Sequence, residues 1–507
     1  MKILKSIKKY ANSSRIALTC DGQIMTYKEL DNLSEAIGQF LLNEAGEDNK
    51  PIVLYGNKEN IIMAVMIGAL KSGRAYIPID ISYPKERVET IIEEVKPDVL
   101  FDFSKGNIFN GIKVIHDDDI KSIYEKYKEI EIDSRSWVKE DENAYILFTS
   151  GSTGKPKGVQ ISSNNLDNFV DWISEYLNLD ESEEKFMNQA AYSFDLSVTS
   201  IYPGLCYGKT LHGFSKNTLS NLKDMFSYIS KSDLNLWVST PSFAGMCVAE
   251  DSFNSNMLPN LKAMVFIGEV LPKTLCEELL KRFPNTRIIN GYGPTEATVA
   301  VSINDMNKEL LDADGTLPIG YPMKESIIRI EDLDGNQVKE GEKGEIIIVS
   351  PSVSKGYFNN DEMTKKSFFY DYYNGEKCRA YRTGDLGYFK EGRLYYCGRK
   401  DFQIKLNGYR IEIEDIENNL IKINNVKNAA VIPINKNDKI SYLTAFVELK
   451  EDNGISSLKN GIDIKKELGK LIPSYMVPRN IKIVKQFPTN VNGKIDRKKL
   501  LEEIKWI

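Results

Sequence analysis

A chain of 507 residues with 42% hydrophobic and 27% charged side chains has the balance of an ordinary soluble globular protein, long enough for three or four units of about 150 residues. A net charge of -6 argues against a general nucleic-acid binder, and the longest apolar run, Ile61 to Leu70, is about half the length that spans a bilayer. Met1 to Arg15 carries lysines but no continuous apolar stretch, so it does not read as a signal peptide, and the expected location is the cytosol without membrane insertion.

In chain order, Thr26-Tyr27-Lys28-Glu29 is a capping box, and Leu30, Leu33, Ile37, Phe40 and Leu41 continue at helical spacing. Ile52 to Tyr55 reads as a buried strand, Ile61 to Leu70 as a helix, and Ala75 to Ile79 as a strand. Pro84 to Val95 follows as a helix with proline in its first turn, and Asp98 to Phe101 as a strand. Such alternation predicts a parallel sheet covered on both faces, with ligands at the carboxyl ends of its strands.

At one such end the apolar strand Tyr145-Ile146-Leu147-Phe148 runs into Thr149-Ser150-Gly151-Ser152-Thr153-Gly154-Lys155-Pro156-Lys157-Gly158. Glycines here let successive N–H groups converge on an anion, the hydroxyls add donors, and Lys155 and Lys157 add charge, which is the chemistry of a phosphate cradle. It is not a Walker A loop, because Thr149 stands where the first glycine should be and Pro156 follows Lys155. A Gly/Ser/Thr cluster alone reads equally as a polar surface loop.

Beyond the loop, strands Leu236 to Ser239, Met264 to Ile267 and Arg287 to Asn290 alternate with helices led by Pro241 and Pro272, implying a second α/β layer. From about Leu317 the texture changes to short strands and glycine turns, predicting a small antiparallel β subdomain up to Arg399. Phe402 to Leu406, the turn Asn407-Gly408, helix Ile413 to Ile421, strands Val426 to Pro433 and Leu443 to Leu449, and helix Ile464 to Leu471 form a compact α+β unit. The six cysteines show no C-x-x-C spacing and read as free thiols. With only His116 and His212, chemistry that needs a histidine base or an imidazole metal cluster lacks parts.

Glu296 in Gly291-Tyr292-Gly293-Pro294-Thr295-Glu296, Asp385 in Thr383-Gly384-Asp385 and Lys494 in Asn492-Gly493-Lys494 are unremarkable singly. In this order, with the Thr149 to Gly158 loop, they form a pattern that resembles the adenylate-forming superfamily of acyl- and aminoacyl-activating enzymes from about Tyr27 to Leu500. Within it the chain resembles the ligases that activate D-alanine and load it onto a carrier protein for teichoic acid D-alanylation. The residues are Ser193-Phe194-Asp195-Leu196-Ser197-Val198, Ser239-Thr240-Pro241-Ser242-Phe243, Gly268-Glu269-Val270, Thr295-Glu296-Ala297-Thr298-Val299 and Asp401-Phe402-Gln403-Ile404-Lys405.

The resemblance implies a large N-terminal domain, residues 1–399, of two doubly wound sheets and a small β subdomain. A small mobile α+β domain, residues 400–507, then carries the catalytic Lys494. Thr149, Ser150, Gly151, Ser152, Thr153, Gly154, Lys155 and Lys157 would cradle the ATP phosphates. Asn290, Tyr292, Gly293, Thr295, Asp385 and Arg399 would bind the rest of the nucleotide, with Tyr292 on adenine and Asp385 on the ribose hydroxyls. Glu296 would help hold Mg²⁺, Asp195 would pair with the substrate ammonium, and Lys494 would bridge the substrate carboxylate and the α-phosphate. Asp401 would be the hinge.

The partner thiol would be the phosphopantetheine of a carrier, expected as a separate chain because no carrier segment follows Ile507. The family usually has cysteine where this chain has Ile267; with Val299 opposite, a branched residue there tightens the pocket and leaves glycine and L-alanine beside D-alanine as substrates. A peptide-type adenylation domain is the same chemistry with another pocket. A luciferase-like oxygenase or acyl-CoA ligase calls for an apolar residue in place of Asp195, and a silent nucleotide-binding regulator for loss of Lys494 or Glu296; all three residues are present.

Overall fold

The computed structural model describes residues 1–46, 48–104, 109, 111–151, 154–312, 315–436, 439–451, 454–488, 495, 497 and 499–501. It divides into two units: Met1–Asp80, Val95–Phe148 and Gly158–Lys400 in the larger, and Ile81–Glu94, Thr149–Lys157 and Asp401–Ile507 in the smaller.

Strand–helix alternation in the larger unit builds two main sheets. The first runs in the order Lys113–His116, Val99–Asp102, Ile52–Gly56, Tyr76–Asp80, Asn143–Thr149, Lys157–Ser162, and its first four pairings are parallel. Ile52–Gly56 is buried at every position, as a strand covered on both faces must be. The second sheet has nine strands, with Leu236–Ser239, Ala263–Phe266 and Arg287–Tyr292 parallel at its centre and antiparallel strands at both edges. A third, five-stranded sheet is antiparallel throughout: Ile327–Glu331, Gly344–Val349, Glu376–Lys390 and Phe368–Tyr373 in order, with Arg393–Arg399 also on Glu376–Lys390.

The capping box forms as expected: Thr26 accepts from the Glu29 N–H and starts the helix Tyr27–Glu44. Helix Asn60–Lys71 lies beneath it, apolar almost all round, and even Lys71 is fully buried. Its ammonium sits 2.6 Å from Asp31 and 2.9 Å from Glu35, pairings without which a buried lysine would be strongly destabilising. A further helix, Lys2–Tyr10, precedes the first strand and buries Ile3, Leu4, Ile7 and Tyr10 along one stripe.

In the smaller unit the hairpin Gln403–Leu406 and Tyr409–Glu412 turns through Asn407 and Gly408, both at positive φ. Helices Ile413–Lys422 and Ser457–Leu471 accompany a sheet of Val426–Lys436, Lys439–Leu449 and Asn480–Val484 over a core that includes Ile416, Leu420, Val431, Val447 and Leu468. Among the described residues, no helix is long and apolar enough to cross a membrane.

Candidate active site

Strands Ala263–Phe266 and Arg287–Tyr292 pair in parallel with Phe266 beside Asn290, so the segments that follow them leave the sheet together at its carboxyl end. Ile267 is buried, and a Cβ placed on Gly291 would lie 3.0 Å from its Cγ1, which sets this side chain against the neighbouring segment. Across from it, a Cβ on Gly268 would come within 3.4 Å of the Phe194 ring. Phe194 leads directly into the short 3-10 turn Asp195–Ser197. The Asp195 carboxylate is buried, and Thr295 Oγ1 donates to its Oδ2 at 2.6 Å.

Gly293 is a glycine for steric reasons: a Cβ there would lie 2.5 Å from Ala300 Cα and 2.7 Å from the Val299 carbonyl oxygen. The chain returns to this point through Thr298 and Val299, at φ 54° and 73°, with the Ala300 N–H donating to the Thr298 carbonyl at 2.9 Å. That is a γ-turn centred on a β-branched residue, a conformation costing about 1–3 kcal/mol per residue and found where the surroundings fix it. Here the Thr298 hydroxyl donates to the Ser352 carbonyl at 2.7 Å and the Val301 N–H to the Tyr292 carbonyl at 2.8 Å. Val299 is thereby buried beside the Gly293 backbone.

Toward the antiparallel sheet, the Tyr292 hydroxyl donates to Asp385 Oδ2 at 2.6 Å, and Arg399 ion-pairs with Oδ1 of the same carboxylate. The second contact follows from register, since Asp385 and Arg399 face each other on adjacent strands. Burial, reinforced by the negative Asp385, holds the Tyr292 phenol protonated well above its ordinary range. Asn290 donates to the Pro318 carbonyl at 2.8 Å, and its buried Oδ1 has no hydrogen-bond partner among the described residues. Glu296 is fully buried and accepts from the Tyr357 hydroxyl at 2.8 Å. Tyr357 carries no mark in the sequence, because its partner lies 61 positions away.

The segment Tyr292–Thr295 therefore reaches Asp385, and with it Arg399, through Tyr292 and reaches Asp195 through Thr295, while Glu296 turns to Tyr357 and Asn290 to Pro318. Among the described residues no group of three or more potential metal ligands converges.

The phosphate-type loop belongs to the smaller unit. Gly154 N–H donates to the Gly151 carbonyl at 3.0 Å, and a Cβ on Gly151 would lie 2.2 Å from the Lys155 carbonyl oxygen, so only glycine permits this tight fold. Ser150 donates to the Arg410 carbonyl and accepts from the Glu412 N–H, both at 3.0 Å, while Lys157 Nζ lies 4.0 Å from Glu412 and Lys155 is exposed. Thr149 Oγ1 is buried with no hydrogen-bond partner among the described residues. Ser152, Thr153 and Lys494 lie outside the described residues. Asp401 Oδ1 accepts from the Gln403 N–H at 3.2 Å, capping the start of the hairpin.

The architecture is that of adenylation domains and acyl-CoA synthetases. It superposes with TM-score 0.85 on a double mutant of o-succinylbenzoate CoA synthetase from Bacillus subtilis, at 20% identity over 99% of this chain and 98% of that one. With the Vibrio cholerae adenylation domain AlmE, solved with glycyl-adenosine-5'-phosphate, the TM-score is 0.83 at 22% identity, over 100% and 97% of the two chains. The chain belongs to the AMP-binding enzyme family: the family model matches residues 7–358, and the model of the AMP-binding enzyme C-terminal domain matches residues 415–494. Proteins named D-alanine--D-alanyl carrier protein ligase from Bacillus anthracis and Bacillus thuringiensis are each 43% identical over 99% of this chain and 100% of their own length.

Proposed function

We propose that this chain is an ATP-dependent, AMP-forming ligase that activates D-alanine as D-alanyl-AMP and passes it to the phosphopantetheine thiol of a carrier protein, for D-alanylation of teichoic acids. The observation that carries the reading is the buried Asp195 carboxylate, on the segment whose Phe194 packs against Gly268, the residue after the buried Ile267; Ile267 and Val299 are the residues we assign to the pocket wall. A buried carboxylate at a substrate site selects a cationic group, here an ammonium, and a pocket narrowed by branched residues selects a short side chain. The 43% identity to carrier protein ligases over their full length supports the same substrate and partner.

In the first half-reaction a substrate carboxylate oxygen attacks the α-phosphorus, the new P–O bond forms as pyrophosphate leaves, and two anions must be brought together. Catalysis is therefore positioning and charge neutralisation. Asp195 anchors the ammonium, Asp385 accepts from the ribose hydroxyls, Tyr292 offers its ring to adenine, and Arg399 steadies Asp385. The buried acceptor of Asn290, which lacks a partner among the described residues, is a polar atom a nucleotide would satisfy. Lys494 bridges the attacking carboxylate and the α-phosphate, and the Thr149–Lys157 loop receives the outer phosphates. Mg²⁺ held by Glu296 together with the phosphates would supply further charge neutralisation. In the second half-reaction the carrier thiolate attacks the acyl carbonyl and AMP leaves with the electron pair of the broken anhydride bond. The need for ATP supports a cytoplasmic location for this reaction.

ATP–pyrophosphate exchange driven separately by D-alanine, L-alanine and glycine, followed by carrier loading, tests the reading; D-alanine is expected to drive the fastest exchange. The branched Ile267 favours a second reading, a peptide-type adenylation enzyme for glycine or L-alanine, which the same panel identifies by its preferred amino acid.

A further inference from the structure

The family resemblance groups Thr295 with the nucleotide, yet its hydroxyl proton in this structure goes to Asp195, at 2.6 Å between two buried side chains. We infer that Thr295 is a positioning residue for the amine-binding carboxylate: it holds Asp195 at the orientation that receives the substrate ammonium. The inference rests on the function proposed above.

Three features support it. First, the Thr295 backbone is fixed from several sides: Gly293 abuts Ala300, Tyr292 accepts from the Val301 N–H, the Ala297 N–H donates to the Pro294 carbonyl at 2.9 Å, and the Ser354 N–H to the Glu296 carbonyl at 2.8 Å. The hydroxyl is a donor at a set point. Second, Asp195 opens the 3-10 turn that runs straight into the helix Val198–Cys206, so its backbone is set by a helix start while its carboxylate is oriented by its hydrogen bonds. Third, a carboxylate accepts about four hydrogen bonds, and the one from the Thr295 hydroxyl stabilises the ionised form in a buried setting.

The same short segment reaches Asp385 through Tyr292 and Asp195 through Thr295. A single rigid strut thus orients the carboxylate proposed for the ribose and the one proposed for the amine.

The test is steady-state pyrophosphate exchange with Thr295→Val, which keeps the shape and removes the hydroxyl, beside Thr295→Ser, which keeps the hydroxyl. For the valine variant we expect KM for D-alanine to rise roughly 10- to 100-fold, the scale of one hydrogen bond to a charged group. Its kcat and KM for ATP should stay within about threefold of the parent, and the serine variant should recover most of the loss. Preference for D-alanine over D-lactate, which lacks the charge, should fall by a similar factor in the valine variant. If valine folds poorly at this site, Thr295→Ala with the same readouts gives the same expected split. A raised KM for ATP with an unchanged KM for D-alanine would overturn the inference, assigning Thr295 to the nucleotide. Serine and valine variants impaired alike would also overturn it, since packing of the methyl would then be the cause. If the parent exchanges with no amino acid, the proposed function fails instead, a result distinct from either.

Discussion

His212 offers a prediction that depends only on the fold. Its ring stacks on Tyr228 at 4.6 Å between centroids, meets Phe214 edge-on at 5.5 Å, and receives or gives one hydrogen bond, Nδ1 to Thr19 Oγ1 at 2.7 Å. Nε2 is buried and without a hydrogen-bond partner among the described residues. Burial, with a smaller contribution from Lys185, pushes the imidazole from its ordinary 6.5 to about 4. Because the folded value is the lower one, the unfolded chain takes up a proton first as pH falls. Stability from this residue is complete above about pH 6.5 and is lost progressively toward pH 4. At pH 4.5 the linkage amounts to about 2–3 kcal/mol. His212→Phe keeps a ring between Tyr228 and Phe214 and removes the titration. The measurement is the opening free energy from amide hydrogen exchange of Leu211 and of position 212, in parent and variant, at pH 7 and pH 4.5. The fixed cost of the substitution cancels in the pH difference, and the parent should lose about 2–3 kcal/mol more than the variant. Equal losses in the two proteins would refute the argument that the ring is held neutral.

Four further expectations follow from the site. Asp195→Ala should abolish amino-acid activation at a cost of about 3–5 kcal/mol while ATP binding measured by calorimetry stays near the parent, because the groups that lose their acceptor are the proposed substrate ammonium and the Thr295 hydroxyl. Ile267→Ala should admit larger or opposite-handed amino acids, eroding discrimination by about 1–3 kcal/mol in an exchange panel; an unchanged D-alanine to L-alanine ratio would mean the residue does not face substrate. Lys494→Ala should slow adenylate formation by roughly 10²–10³-fold yet spare transfer from preformed alanyl-AMP, whereas Asp401→Pro, which fixes φ at the proposed hinge, should do the reverse. Equal losses in both half-reactions for both variants would mean that Lys494 and the hinge at Asp401 do not serve different half-reactions. Gly293→Ala should destabilise the larger unit by about 1–3 kcal/mol in scanning calorimetry, because its Cβ would lie 2.5 Å from Ala300 Cα.

What the sequence reveals is mostly local. The helix Tyr27–Glu44 is written in the Thr26–Glu29 capping box, and the hairpin around Asn407-Gly408 in its two left-handed residues. Helix Ser457–Leu471 is expected only from Ile464, because Leu458 and Ile462 are exposed and blur the apolar period; its start is set instead by Ser456 accepting from the Lys459 N–H. The helix Lys2–Tyr10 has the spacing but follows no strand, and its apolar face is explained only by packing. Strand Ile16–Cys20 lies beside Thr210–Gly213 in the nine-stranded sheet, a pairing across almost 200 residues that no local pattern encodes. The candidate site divides the same way: residue types and motif order are legible, but the bond from Thr295 to Asp195 spans 100 positions and that from Tyr357 to Glu296 spans 61.

The left-handed pair Thr298–Val299 bears on how the proposed substrate pocket can be re-engineered. Side-chain choice at position 299 is governed by backbone conformation as much as by room: asparagine and glycine relax the turn, and every other β-branched or bulky substitute inherits its strain. Ile267, just past a regular strand, carries no such restriction. Libraries aimed at new amino acids will therefore yield folded, active variants mainly at Ile267. At Val299 diversity will be bought with lost stability, and the survivors will be enriched in residues that tolerate positive φ.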